Sequence, residues 1–257
     1  MRTARTIIFF LCLAILAAAK GYAQISSDDA LSKFVAAGMA YKEGQYAATV
    51  ERYKEILDGG RESGALYYNL GNSYYKKGDL GRAVLSYERA KRFIPRDGDL
   101  KFNADYVTSK IEGYGDDQNP NYFDRALKKL QHFFTVSEMA IIIVGIGFAV
   151  GLFILIVCFM PWPRQYSRWA IGLLLLVIVV FANGLVSKLD EERHGAVVVV
   201  KAASYFEPRE DSTVHFELSQ GTKVKILKTE GGWVKIQRPD GKIGWAAQET
   251  VEKIKFQ

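Results

Sequence analysis

The spacing of apolar and polar positions changes twice along the chain. Between residues 30 and 112 the apolar positions recur at helical spacing, and glycine or proline interrupts them at intervals. From Met139 to Met160 there is no charged residue, and from Trp169 to Val186 the apolar run is broken only by Asn183. From Gly195 onward come short runs rich in valine and isoleucine: GAVVVV, TKVKILKTE, GWVKIQRPDG and KIGWAAQ. They are separated at Gly221, Gly231-Gly232 and Asp240-Gly241. These textures predict helical hairpins, two helices of bilayer-crossing length, and a small antiparallel barrel, since Asp-Gly between alternating runs marks a hairpin.

The helical part repeats. If Gly64 is position 1 of a 34-residue unit, Tyr67 falls at 4, Leu70 at 7, Gly71 at 8, Tyr74 at 11, Ala83 at 20, Tyr87 at 24, Ala90 at 27 and Pro95 at 32. Gly71 and Ala83 let two antiparallel backbones approach, and the larger side chains fill the space around that contact. Lys77-Gly78-Asp79 predicts the turn, and Pro95 stops the second helix. One unit earlier Ala37, Gly44, Tyr46, Thr49 and Tyr53 repeat the scheme more weakly. The spacing resembles tetratricopeptide repeats, at 30–63 and 64–97. A capping helix follows at 98–112, where Leu100, Ala104 and Val107 share a face, and the repeat domain as a whole is expected over 24–113.

Residues 1–23 read as a cleaved signal peptide: Arg2 and Arg5, an apolar stretch from Ile7 to Ala19, and small residues before a cleavage point after Ala23. Residues 114–137 predict a linker and then an amphipathic juxtamembrane helix. In that helix Phe123, Leu127, Leu130 and Phe134 share one face, and Arg125, Lys128, Lys129 and His132 lie on the other, near lipid phosphates. Membrane helices are expected at 138–160 and 169–187, joined by a loop at 161–168 whose Arg164 and Arg168 favour the cytoplasm. An exported start with two spans places both soluble parts in the periplasm of a bacterial inner membrane.

Charge and cysteine usage narrow the function. The formal charge of +6 includes Arg2, Arg5 and Lys20; without them 31 basic residues face 28 acidic ones. That balance gives no reason to expect nucleic acid. Cys12 and Cys158 fall in the signal and a span, leaving no thiol chemistry in the soluble parts. His132, His194 and His215 lack metal-ligand spacing, and no nucleophile elbow or phosphate loop is present. No catalytic residue, metal or cofactor is expected, and the cluster Asp190-Glu191-Glu192 reads as a solvated face.

The order Ser204 to Pro208, Gly221, Val224, Ile226, Gly232-Trp233-Val234, Asp240-Gly241, Gly244-Trp245 resembles a bacterial SH3 domain over 195–257, with Trp233 and Trp245 as candidates for a ligand groove. In tetratricopeptide proteins the first helix of each pair lines the concave groove. The resemblance therefore implies a partner-binding surface of Phe34, Tyr41, Tyr68, Asn72, Tyr75, Lys76, Asn103 and Lys110. Asn72 and Asn103 match two asparagines that hold peptide backbone in the carboxylate-clamp subgroup, whose lysine is replaced here by Tyr68.

The whole order of modules resembles the BatE family of the Bacteroides aerotolerance operon, as do the Ala23-Gln24 junction and RAKRFIPRDGDLKFNADY. The resemblance implies a multi-domain, non-enzymatic inner-membrane scaffold. Its implied partners are other membrane proteins of the operon, including those with von Willebrand factor A domains. Its two recognition modules are expected to hang from a membrane hairpin, so that binding by one raises the effective concentration of the other. The alternative is a peptidoglycan-binding sensor or regulator of an envelope hydrolase.

Overall fold

A computed structural model describes residues 29–111, 122–159 and 164–254. The expected signal peptide and the linker stretch up to residue 121 lie outside them. Helices α1 (29–42) and α2 (Tyr46–Asp58) form one antiparallel hairpin, α3 (Gly64–Lys77) and α4 (Leu80–Lys91) a second, and α5 (Gly98–Ser109) packs on the last pair. The starts of α3, α4 and α5 are fixed by side-chain caps: Ser63, Asp79 and Asp97 accept the N–H of Leu66, Arg82 and Leu100 at 3.1, 3.0 and 2.8 Å. Gly78, at φ 88°, takes the left-handed turn that ends α3. At Gly71 a Cβ would lie 2.6 Å from the Tyr87 ring, so only glycine lets α3 and α4 close this far.

Helices α6 (Tyr122–Phe133), α7 (Val136–Phe159) and α8 (Arg164–His194) follow. α7 and α8 are long and apolar enough to cross a membrane. Ile141, Val144 and Phe148 on α7 and Trp169, Leu173 and Val179 on α8 point outward, as lipid-facing side chains do. α8 departs from expectation at both ends. It begins inside the segment expected as a loop, because nothing after Pro163 interrupts a helix, and it runs past residue 187 straight into the first strand. Asp190 pairs with Lys225 at 2.6 Å and Glu191 with Lys223 at 3.8 Å, so these acids, though still partly in water, also reach the barrel.

The barrel strands are β1 (Gly195–Val198), β2 (Ala202–Tyr205), β3 (Val214–Leu218), β4 (Lys223–Glu230), β5 (Trp233–Gln237), β6 (Ile243–Ala247) and β7 (Val251–Lys253). They pair antiparallel in the order β3-β2-β6-β5-β4-β1-β7. Val198, Leu218, Val234, Ile236 and Ala246 fill the interior.

The helical hairpins and the barrel do not hang separately. Val197, Val199 and Ile254 belong to the same buried cluster as the helices, while Val198 points into the barrel. The absent Cβ of Gly81 leaves room for the Val199 backbone, and that of Gly221 for Ile111. A separate barrel would expose Val197, Val199 and Ile254, and so the continuous apolar run GAVVVV is satisfied only by burial on both faces. Polar bonds fix the contact. Arg89 donates to the carbonyls of Ile254 and Lys253 at 3.0 and 2.8 Å, and Arg82 pairs with Glu252 at 3.1 Å. The buried Glu88 accepts from Lys91 at 2.7 Å and Lys223 at 3.2 Å.

The membrane hairpin is clamped to the same body. Arg96 reaches Glu138 at 2.6 and 3.1 Å, Lys188 donates to the Phe134 carbonyl, and Phe134 meets Phe181 at 5.5 Å. α6 therefore packs on α8, and His132, expected at the lipid phosphates, lines a cavity with Glu88 and Lys223.

Burial opposes the charge of Glu88, but Lys223 and Lys91 outweigh it and hold the carboxyl down at about 2, against 4.5 for an ordinary one. Because the folded value is depressed, its contribution to stability is complete above about 4.5 and is lost as pH falls toward about 2. Acid titration followed by near-ultraviolet circular dichroism should show this loss, and Glu88→Gln should remove it; an unchanged profile in the variant would discount Glu88 as its source. At neutral pH, Lys223→Ala should destabilise the protein by about 1–3 kcal/mol, because Glu88 stays buried with one partner fewer. Thermal denaturation of the two proteins checks this.

Candidate functional site

The groove is built by α3 and α5. Tyr68, Asn72, Tyr75 and Lys76 follow one another at helical spacing on α3, facing Asn103 and Lys110 on α5. Asn103 Nδ2 donates to Tyr68 Oη at 2.8 Å and to Asn72 Oδ1 at 3.1 Å. The same Asn72 oxygen accepts the buried Tyr87 hydroxyl at 2.8 Å. Both lone pairs of that carbonyl are thus used, which fixes the Asn72 side chain and leaves its N–H groups for another acceptor.

Further along, Tyr75 meets Tyr106 edge-on at 5.9 Å, and hydrogen bonding with Tyr75 first, then Lys110, lowers the Tyr106 phenol below its ordinary value. The Lys110 ammonium stands 4.6 Å from the Tyr106 ring centre, and Phe102 stacks on the same ring at 6.5 Å. Phe102 is 71% exposed, a large apolar area left open beside two cations, Lys76 and Lys110.

Of the eight residues expected in this groove, Tyr68, Asn72, Tyr75, Asn103 and Lys110 come together. Lys76 is exposed beside them, near enough to act on Tyr106 electrostatically. Tyr41 lies edge-on to Tyr46 at 5.4 Å and within electrostatic reach of Tyr68. Phe34 instead packs on Tyr53 at 5.5 Å, at the border of the core. The sequence reading missed Phe102 and Tyr106. Their signal was present as an aromatic pair four residues apart in DLKFNADY, continued by Lys110 after four more.

On the barrel, Trp245 is 9% exposed with Lys235 5.8 Å from its ring centre, which makes it a packed wall and not an open contact. Trp233 is half-buried and meets Tyr205 edge-on at 5.6 Å. The exposed aromatic contact is Phe206, stacked on His215 at 4.1 Å, with His215 Nδ1 3.1 Å from the Ile243 carbonyl. Both lie by β2 and β3, at the end of the strand order away from the β1 and β7 strands that dock on the helices. Residues 205–252 match the bacterial SH3 domain family. The SH3 domain thus spends one edge on the repeats and turns Phe206, His215, Tyr205 and Trp233 away from them. No curated protein matches the chain.

A cavity of about 350 Å³ lies where helices and SH3 domain meet, lined by Glu88, Lys91, Lys101, His132, Glu191 and Lys223 among others. Burial lowers the His132 pKa first, and Lys223 and Lys188 lower it further, against Glu191 and Glu88. Glu88, held at about 2, is a poor proton acceptor at neutral pH.

Asn72 carries a structural role, as the acceptor of the Tyr87 hydroxyl. Asn72→Leu should cost about 1–3 kcal/mol by leaving the buried Tyr87 hydroxyl without its acceptor. Adding Tyr87→Phe should recover most of that loss. A double-mutant cycle by urea denaturation checks the coupling, and additive losses would break the assignment.

Proposed function

We propose that the chain is a non-enzymatic inner-membrane scaffold of the BatE type. Its helical hairpins act as tetratricopeptide repeats that hold an extended segment of a partner protein. The observation that carries this reading is the strip from Tyr68 and Asn72 to Tyr75, Tyr106 and Phe102. It is a set of aromatic faces fixed by their own hydrogen bonds, with amide N–H groups and two lysines at the edge. Aromatic area of this kind supplies most of the energy at protein interfaces, and fixed side chains lose little entropy on binding. The lysines favour an acidic segment. Membrane proteins of the same operon, including those with von Willebrand factor A domains, are the partners the family resemblance suggests.

The topology reading is supported by packing. The repeats precede the first span and the SH3 domain follows the second, yet the two share a core. That requires both on one face of the membrane, as two spans give. The signal-like start, with cleavage expected after Ala23, supports the periplasm as that face. Without an independently mobile second module, the scaffold presents two fixed surfaces at a set height above the membrane.

Photoreactive residues at Tyr75 and Phe102 in living cells should trap one membrane protein reproducibly. Tyr106→Ala together with Asn103→Ala should reduce that capture by at least about tenfold, the loss of one hot spot. Equal capture with and without these changes sinks the groove assignment.

A second reading rests on the outward Phe206–His215 pair of the SH3 domain, a domain type associated with protein or peptidoglycan binding. Purified full-length chain should then sediment saturably with sacculi, and Phe206→Ala should weaken this severalfold. Sedimentation that does not saturate, or that is indifferent to Phe206, removes this reading.

A further inference from the structure

Helix α1 is the first described helix of the stack, and its outward face is apolar. Leu31, Val35 and Met39 follow one another by one helical turn and are 62, 48 and 60% exposed, on the side opposite the buried Ala37 and Ala40. A terminal helix of such a stack normally presents a polar face to water. Gly38 lies within the same stripe. In α3 and α4 the absent Cβ atoms of Gly71 and Gly81 make room for Tyr87 and Val199, but around Gly38 no atom lies within 4 Å of where a Cβ would stand. A glycine inside a helix weakens it relative to alanine, and nothing within the described residues of one chain explains this one. A second backbone approaching from outside does.

The stripe is also its own complement. Lay α1 antiparallel against a copy of itself with Val35 at the centre. Leu31 then falls opposite Met39, Ser32 opposite Gly38, and Val35 opposite Val35. The small residues meet where the backbones must close, and the apolar ones meet on either side. Asp29, which pairs with Lys33 of its own helix at 3.0 Å, comes to the last turn of the copy, where Lys42 stands, so the acidic start of each helix meets the basic end of the other and the helix dipoles oppose. Self-complementarity about one residue is what a two-fold interface requires.

We infer that α1 is the contact surface for a second copy of this chain, paired antiparallel about Val35. One pair of four-turn helices buries less than an interface of about 1,200 Å² that holds in dilute solution. Two copies held in one membrane by their hairpins meet at far higher effective concentration, which compensates for the small area. The pairing leaves the groove on α3 and α5 free, so a dimer would present it twice.

Disulfide trapping in membranes carrying the full-length chain tests this, with the unsubstituted chain, whose cysteines are Cys12 and Cys158, as the blank. Val35→Cys should give a dimer under mild oxidant at least tenfold faster than Ala48→Cys on the exposed side of α2. Leu31→Cys and Met39→Cys, on differently tagged copies, should link to each other and much less to themselves. Gly38→Leu added to Val35→Cys should cut trapping at least tenfold with no fall in Tm, because the side chain enters open space in the single chain. Three results overturn the inference: Val35→Cys trapping no faster than Ala48→Cys, an adduct of Val35→Cys with a different protein, or trapping untouched by Gly38→Leu.

Discussion

Everything in this molecule depends on β1 being buried on both faces. Val198 turns into the barrel, while Val197 and Val199 turn into the helices, so the four-residue strand β1 and the residue after it join two cores. Removing that run from water on both sides favours the joined state by the ordinary hydrophobic term. The polar bonds around it decide the register. Arg89 finds the carbonyls of Lys253 and Ile254, which a slip of one residue would move out of reach. Glu88 is fully desolvated and tolerated only because two lysines, one from each side of the contact, bring their charges to it.

The same economy extends to the membrane. α8 enters β1 without a loop, and α6 folds back on α8 under Arg96 and Glu138. Among the described residues the two long apolar helices therefore join the helical hairpins and the SH3 domain through packed helix and sheet. A surface mounted this way is held at fixed height and orientation.

The surface between α3 and α5 is ordered by structural necessities. Tyr87 is a core residue, and its hydroxyl needs an acceptor. Asn72 supplies it, and in doing so is locked in the orientation that accepts Asn103. The rigidity of the exposed amides is thus inherited from a buried tyrosine. Phe102 and Tyr106 have no such anchor in the core. They are ordered by stacking on each other and by Tyr75 and Lys110.

The sequence by itself determined the local elements, because each rests on short-range rules. Helical spacing, the caps at Ser63, Asp79 and Asp97, and Gly78 after α3 specify the hairpins. Unbroken apolar length specifies α7 and α8, and Gly231-Gly232 and Asp240-Gly241 specify the strand turns. It also placed Tyr68, Asn72 and Tyr75 on one surface, since residues three, four and seven apart on a helix must share a face, whereas Asn103, on another helix, was placed beside them only by the repeat resemblance. Only the tertiary structure decided what lies between modules. GAVVVV reads as a buried strand, but not which two cores bury it. Asp190 and Glu191 read as solvated acids until Lys223 and Lys225 are brought to them, and Trp245 reads as an anchor until the barrel closes over it. Phe34 and His132 moved from surface roles to a core border and a cavity for the same reason. Charge, apolar area and aromatic rings are visible in a sequence, but their partners across many residues of chain are chosen by packing, and packing exists only once the chain has closed on itself.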